Sequence, residues 1–241
     1  MATATLDLKP DLDTGHPCFG CTVREISLCG ILDNEELRAY KQTGATVRYD
    51  AGATIFFEGD PADSVYTLTS GTLRLSKLLP DGRRQIAGFI FPGNFLGITM
   101  EDEHAFTAEA ITASELCRFS RPKFETYLDE HPLMERRLYA LVAHELAATR
   151  QQLVLLGRKT ATERVVSFLL MLGSRCRMDG GLADEVHLPM SRSDIADYLG
   201  LRIETVSREL SALKAARLIQ LTGTHSVRLL EKARLEALAE G

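Results

Sequence analysis

Hydrophobic and polar positions change rhythm along the chain. Asp33-Asn-Glu-Glu-Leu37 offers a capped helix start, with Gly44 as its expected stop. From Thr46 to Phe119, short β-rich runs (Thr54-Ile-Phe-Phe57, Val65-Tyr-Thr-Leu68, Thr72-Leu-Arg-Leu75 and Gln85-Ile-Ala-Gly-Phe-Ile90) alternate with turn residues such as Asp50-Ala-Gly52, Glu58-Gly-Asp-Pro61, Ser70-Gly71, Pro80-Asp-Gly82 and Pro92-Gly93. That spacing predicts an antiparallel roll or jelly roll. The run from Ala110 to Phe119 reads as a strand leading into a helix that starts at Ser120-Arg-Pro122, and His131-Pro132 introduces a longer helix. Along it Tyr139, Val142, Leu146, Thr149, Leu153 and Leu156 recur at spacings of 3, 4, 3, 4 and 3. Pattern alone fits a core helix as well as a dimer seam. Gly157 is a candidate hinge after it.

Beyond Gly157 the pattern becomes that of a second domain. Thr162 to Leu172 begins its core, Asp179-Gly-Gly181 is a loop, and Glu185-Val-His-Leu188 is a strand. Ser191 and Asp194 form a capping box, Ile195, Ala196 and Leu199 give the short helix an apolar stripe, and Gly200 turns the chain through a left-handed residue. A second helix, Ile203 to about Leu218, then packs through Val206, Leu210 and Leu213. This is a helix-turn-helix, and Leu218 to Leu221 with Val227 to Leu230 reads as a two-stranded wing.

The outward face of the second helix carries Glu204, Ser207, Arg208 and Ser211, with Thr205, Arg192 and Arg202 beside it as further DNA-contacting positions. Arg208 can donate a bidentate pair to guanine, Glu204 can accept from cytosine, and Ser207 suits either role. A two-fold DNA reader needs a homodimer, which tips the long stripe toward a seam. Thr149 at its middle permits pairing without forcing it.

Composition narrows the setting. The chain has 241 residues, 45% of them hydrophobic and 25% charged, which suits a globular protein. No apolar run is long enough for a membrane span and the N-terminus lacks a signal pattern, so a cytoplasmic protein without membrane contact is expected. The net charge of −5 argues against a basic coat on DNA, but residues 192–228 carry six Arg or Lys against four acids. That local excess of about two suits a specific palindromic reader.

Cys18-x2-Cys21-x7-Cys29 is the chain's most concentrated chemistry, with Cys117 and Cys176 elsewhere. A reducing compartment disfavours disulfides, leaving zinc, an iron-sulfur cluster, a thiol switch or, for the distal cysteines, a plain core position. Three thiolates need a fourth ligand, and we take Cys117, on the strand-like run, over Cys176. No His-x-x-x-His, paired-carboxylate or nucleophile-elbow pattern accompanies them, so an enzyme is not expected.

Glu204-x-x-Ser207-Arg208, preceded by Asp194-Ile-Ala-x-x-Leu-Gly-Leu201, resembles the DNA-binding signature of the CRP/FNR superfamily of bacterial transcription regulators, on its FNR side. Cyclic-AMP-type members usually carry Arg at the position of Ile203 and Gly at that of Ser207. Phe57-Glu-Gly-Asp-x-Ala62, with Gly71-x-Leu-Arg-Leu75, resembles the superfamily's cyclic-nucleotide-binding roll.

The resemblance implies an α+β chain: a cysteine-bearing segment (1–33), an antiparallel β-roll (34–131), a dimerisation helix (132–157) and a winged helix-turn-helix (158–241). It also implies TTGAT-type half-sites read by Glu204, Ser207 and Arg208, and an oxygen-labile [4Fe-4S] cluster on Cys18, Cys21, Cys29 and Cys117, with Leu28 as an apolar shield. The x2, x7 spacing is similar to that of FNR-like regulators from nitrogen-fixing and photosynthetic bacteria. Where nucleotide-binding members place a Glu and an Arg-Ser pair, this chain has Asn94 and His104-Ala105, so no cyclic nucleotide is expected. Arg83-Arg84 at a hairpin tip is a candidate RNA polymerase contact. Glu209, where the family often has an apolar residue, is expected to loosen packing slightly. Competing sensors on the same scaffold are haem, through His16 or His104, and a zinc or thiol redox switch.

Overall fold

Period-two alternation builds the first part of the molecule. In the computed structural model, which describes residues 16–178 and 184–241 (without the side chains of 176–178), the strands are β1 (Gly44–Tyr49), β2 (Thr54–Phe56), β3 (Ser64–Ser70), β4 (Leu73–Leu78), β5 (Arg84–Ile90), β6 (Phe95–Leu96), β7 (Thr107–Ala110) and β8 (Ser114–Ser120). They form two four-stranded sheets, ordered β1-β8-β3-β6 and β2-β7-β4-β5. Phe56, Tyr66, Leu68, Leu73, Ile90 and Leu116 belong to one buried cluster of this roll. Register sets what points the other way. Cys117 stands opposite Thr46 on β1 and Thr67 on β3, whereas Leu116 stands opposite Val47 and Leu68.

Two expectations change here. The run 110–119 is two strands, because residues 111–113 turn the chain between β7 and β8. Gly44 does not close the preceding helix, α1 (Asn34–Gln42), whose C-cap is Thr43; it opens β1. There a Cβ would collide with the Phe119 ring and the Arg118 carbonyl oxygen, so the position admits only glycine for lack of space.

The start of α1 is as its sequence indicates. Asp33 accepts from the Glu35 and Glu36 backbone N–H groups at 2.8 and 2.9 Å, and Glu36 accepts from the Asp33 N–H at 2.9 Å. Outside the sheet, Leu28, Leu32, Leu37 and Tyr40 pack with Phe119, Phe124, Tyr127 and Met134 from β8, α2 (Arg121–Glu130) and α3 (Pro132–Arg158).

The chain divides into two compact units, residues up to 75 with 89–144, and residues 76–88 with 145–241. In the second, α4 (Ala161–Met178), β9 (Glu185–His187), α5 (Arg192–Leu199), α6 (Ile203–Ala215), β10 (Ile219–Leu221), β11 (Ser226–Leu229) and α7 (Lys232–Glu240) make a winged helix-turn-helix with a β10-β11-β9 sheet. Gly200 is left-handed at φ 61° and ends α5. Helix α6 stops three residues short of Leu218, because Arg217 takes a left-handed conformation at φ 56° that its sequence does not advertise. Gly157 lies inside α3, which runs through Arg158. Beyond it, the Arg164 guanidinium donates to the carbonyls of Leu156, Lys159 and Leu199 at 2.8, 2.9 and 2.9 Å. The Asp179-Gly-Gly181 loop, residues 1–15 and the Cys176 side chain lie outside what is described. Among the described residues no helix is long and apolar enough to cross a membrane.

Gly44→Ala should lower unfolding stability by about 1–3 kcal/mol through overpacking against β8, whereas Gly88→Ala, with open space at its Cβ, should change little. Urea denaturation of the two variants checks the contrast.

Candidate metal centre and nucleic-acid interface

Three of the four cysteines sit in a chain of tight turns. The carbonyls of Cys18, Cys21 and Cys29 accept the N–H groups of Cys21, Arg24 and Leu32 at 3.3, 3.3 and 3.2 Å, so each cysteine opens a turn. Arg24 ties the segment to the start of α1 by donating to the Leu32 carbonyl at 3.1 Å and to Asn34 Oδ1 at 2.9 Å. Arg137 on α3 donates to the Ile26 carbonyl at 3.2 Å and, at 3.4 Å, to that of Glu25.

The turns fold onto the outward face of β8. Cys18, Cys21, Cys29 and Cys117 line one cavity, whose apolar wall includes Val23, Leu37, Tyr40 and Phe119. Among the described residues no three His, Cys, Asp or Glu side chains stand close enough to share a single metal ion. Leu28 is buried in the cluster around α1 and does not line the cavity; it supports the site from behind.

Two residues that the sequence analysis passed over complete the wall. Lys41 donates through Nζ to Cys117 Sγ at 3.0 Å and to Thr46 Oγ1 at 2.8 Å. Tyr40 beside it has a buried hydroxyl without a hydrogen-bond partner. A signal was available: Lys41 falls four residues after Leu37, on the buried stripe of α1, where a charge is unexpected.

Burial favours the protonated thiol at Cys18 and at Cys29. Burial, with smaller contributions from Cys117, Cys29 and Cys21, pushes the Cys18 thiol up to about 11 against the lowering pull of Lys41. Burial also raises Cys29, opposed by its contact with Ser27. The Ser27 hydroxyl lies 2.9 Å from the Arg24 carbonyl oxygen, to which it donates, and 3.1 Å from Cys29 Sγ, where either atom can be the donor.

The candidate haem ligands are placed differently. His16 Nδ1 accepts from the Cys18 N–H at 3.2 Å. His104 is buried, with its ring stacked on Phe56 at 3.7 Å, and burial lowers its pKa.

In the second unit, Glu204, Arg208 and Ser211 are exposed on α6, as are Arg192 and Arg202 nearby, while Thr205 and Ser207 are half-buried. The Ser211 hydroxyl donates to the Ser207 carbonyl at 2.8 Å. Glu209 does not loosen packing: it accepts from the Thr162 hydroxyl at 2.8 Å and so fastens α6 to α4. The expectation for Arg83-Arg84 is half overturned. Arg84 forms ion pairs at 2.7 Å with Asp194 and Asp197 on α5, and only Arg83, paired with Asp81, stays exposed. On α3, Tyr139, Val142, Leu146, Thr149 and Leu153 are exposed, whereas Leu156 is half-buried with its side chain beside Gly200.

The raised thiols have a measurable consequence. Alkylation of Cys18 by iodoacetamide in protein without metal should keep rising above pH 9 and reach half its maximum rate near about 11, read by mass spectrometry. Because its folded pKa exceeds the ordinary 9.0, the stability that this thiol contributes should be intact below pH 9 and lost as pH rises through about 11.

Comparison with known proteins agrees with both halves. Residues 46–131 match the cyclic nucleotide-binding domain family and residues 163–238 the Crp-like helix-turn-helix domain family. The nitrogen fixation regulation protein FixK of Bradyrhizobium diazoefficiens is 45% identical over 99% of each chain. The transcriptional activator FnrL of Cereibacter sphaeroides is 36% identical over 91% of this chain and 90% of that protein. The structure of FixK2 from Bradyrhizobium japonicum is similar at a TM-score of 0.76 and 38% identity, covering 81% of this chain and 96% of that one. With a roll, a long helix and a winged helix-turn-helix in that order, and relatives matched from end to end, the chain belongs to the CRP/FNR family of DNA-binding transcription regulators and is not an enzyme.

Proposed function

We propose that this regulator is a cytoplasmic homodimer that activates transcription when oxygen is scarce, gated by a [4Fe-4S] cluster on Cys18, Cys21, Cys29 and Cys117. The observation that carries the reading is the meeting of three sulfurs from one short segment with a fourth from β8 at a single cavity. The donor set is all sulfur, the thiols are free, and the wall bears a cation and a spare hydroxyl, which suits a negatively charged inorganic core. Relatives named for nitrogen fixation regulation and transcriptional activation support the physiological side.

When bound, such a cluster supplies thiolate-iron bonds that dioxygen destroys. The chain's own residues do the rest. Cys117 gives those bonds a footing on the sheet, and the segment they hold reaches α3 through Arg137. The exposed stripe of Tyr139, Val142, Leu146 and Leu153 is the seam for a second copy. Thr149 can sit within it because its hydroxyl is already donated to the Glu145 carbonyl at 2.9 Å.

Two α6 helices one turn of DNA apart, about 34 Å, then read a palindrome of TTGAT-type half-sites through Glu204, Ser207 and Arg208. Arg192, Arg202, Thr205 and Ser211 contribute contacts around them. Arg83, exposed at its hairpin, is the polymerase-facing position. A cyclic nucleotide is not the effector in this reading: Asn94 stands where a Glu would take the ribose hydroxyl, and His104-Ala105, with His104 buried and stacked on Phe56, where an Arg-Ser pair would face the phosphate.

Cys117→Ser should abolish both the brown absorbance of anaerobically prepared protein and its binding to a TTGAT palindrome; full anaerobic occupancy by that variant would refute gating. Arg208→Ala should lose about 1–3 kcal/mol of binding at one base pair, measured by gel shift against single-base operator variants. An even loss across all sequences would reassign Arg208 to phosphate.

A further inference from the structure

We propose that Tyr40 and Lys41 are the donor wall of the sulfur cavity: the phenol and the ammonium hydrogen-bond the sulfur atoms of the bound cluster, hold its negative charge and set its reduction potential. The inference rests on the cluster reading above and extends it to residues that ligate nothing.

Tyr40 is only 3% exposed, its ring stacked on Phe119 at 4.2 Å and tilted against Tyr127 at 4.9 Å. The packing holds the ring firmly, yet the hydroxyl is left buried with no partner. A buried donor that bonds to nothing is costly and uncommon, and where one occurs it points to a missing acceptor. The cavity it lines offers sulfur from Cys18, Cys21, Cys29 and Cys117.

Lys41 makes the same demand in charge. It is 9% exposed and bonded to Cys117 Sγ and Thr46 Oγ1, and among the described residues no carboxylate lies within ion-pairing distance. A buried ammonium needs an anion.

A Cys117 thiolate alone would answer Lys41 but leave the Tyr40 hydroxyl orphaned. One acceptor satisfies both: an anionic core large enough to reach all four cysteines, whose sulfides and thiolates accept hydrogen bonds. Such outer donors and nearby cations stabilise the more negative, reduced state and make the cluster harder to oxidise. Capping by Asp33 fixes where α1 begins, and so where its last turn presents the two side chains.

The test uses the full chain, reconstituted anaerobically with iron and sulfide, as parent, Tyr40→Phe, Lys41→Met and Lys41→Arg. Tyr40→Phe and Lys41→Met should still load, with midpoint potentials shifted negative and air bleaching roughly tenfold faster; Lys41→Arg, which keeps the charge, should stay near the parent. Unloaded Tyr40→Phe should melt no lower than the unloaded parent, since the lost hydroxyl bonded to nothing. Unchanged potential and bleaching in Tyr40→Phe and Lys41→Met, with a loaded parent, would overturn this inference alone. A lower melting temperature for unloaded Tyr40→Phe would also overturn it, by assigning the phenol to packing. A parent that takes up no iron and sulfide would overturn the cluster reading as well.

Discussion

A β-strand cannot turn one side chain without turning its neighbours, and β8 is held in place by that rule. Leu116 faces the buried interior of the roll between Val47 and Leu68, so Cys117 must face outward between Thr46 and Thr67. Slipping the pairing by one residue would exchange them and expose Leu116, at a cost of about 1.5–3 kcal/mol for that side chain alone. The address of Cys117 is thus set by hydrophobic burial within the roll and needs no metal.

What lies on that outward face is less self-sufficient. The cysteine turns are held by backbone hydrogen bonds, two arginines and a few buried side chains such as Val23 and Leu28. Burial raises the Cys18 and Cys29 thiols, and a donor beside them, the Tyr40 hydroxyl, lacks an acceptor. Binding of a metal or cluster there would expel protons, which would couple occupancy to pH and to thiol chemistry together. The sheet thus keeps its geometry by burial alone, while the segment over it is held by far fewer contacts.

The legible parts were those in which a local rule and the tertiary structure agree. The capping boxes at Asp33 and Ser191, the left-handed Gly200 and the apolar positions of α6 all follow from chemistry within a few residues. Strands β6 and β7 were missed because Phe95–Leu96 is too short to show alternation and Thr107–Ala110 owes its conformation to pairing with β2. Arg217 occupies a left-handed position without being glycine, and Gly44 is a glycine for reasons of space. The cysteines announced themselves by spacing, whereas Tyr40 and Lys41 became visible only when the folded chain brought α1 beside β8.

Arg164 joins pieces that a chain drawing would separate. Three carbonyls, two from the end of α3 and its exit and one from the end of α5, converge on a single planar guanidinium. A planar fork with fixed angles has little give. A twist applied to the last turn of the long helix is therefore delivered to the bend before α6 like torque through a keyed shaft, and Gly157, for all its intrinsic freedom, is spanned by a clamp that leaves it little to do.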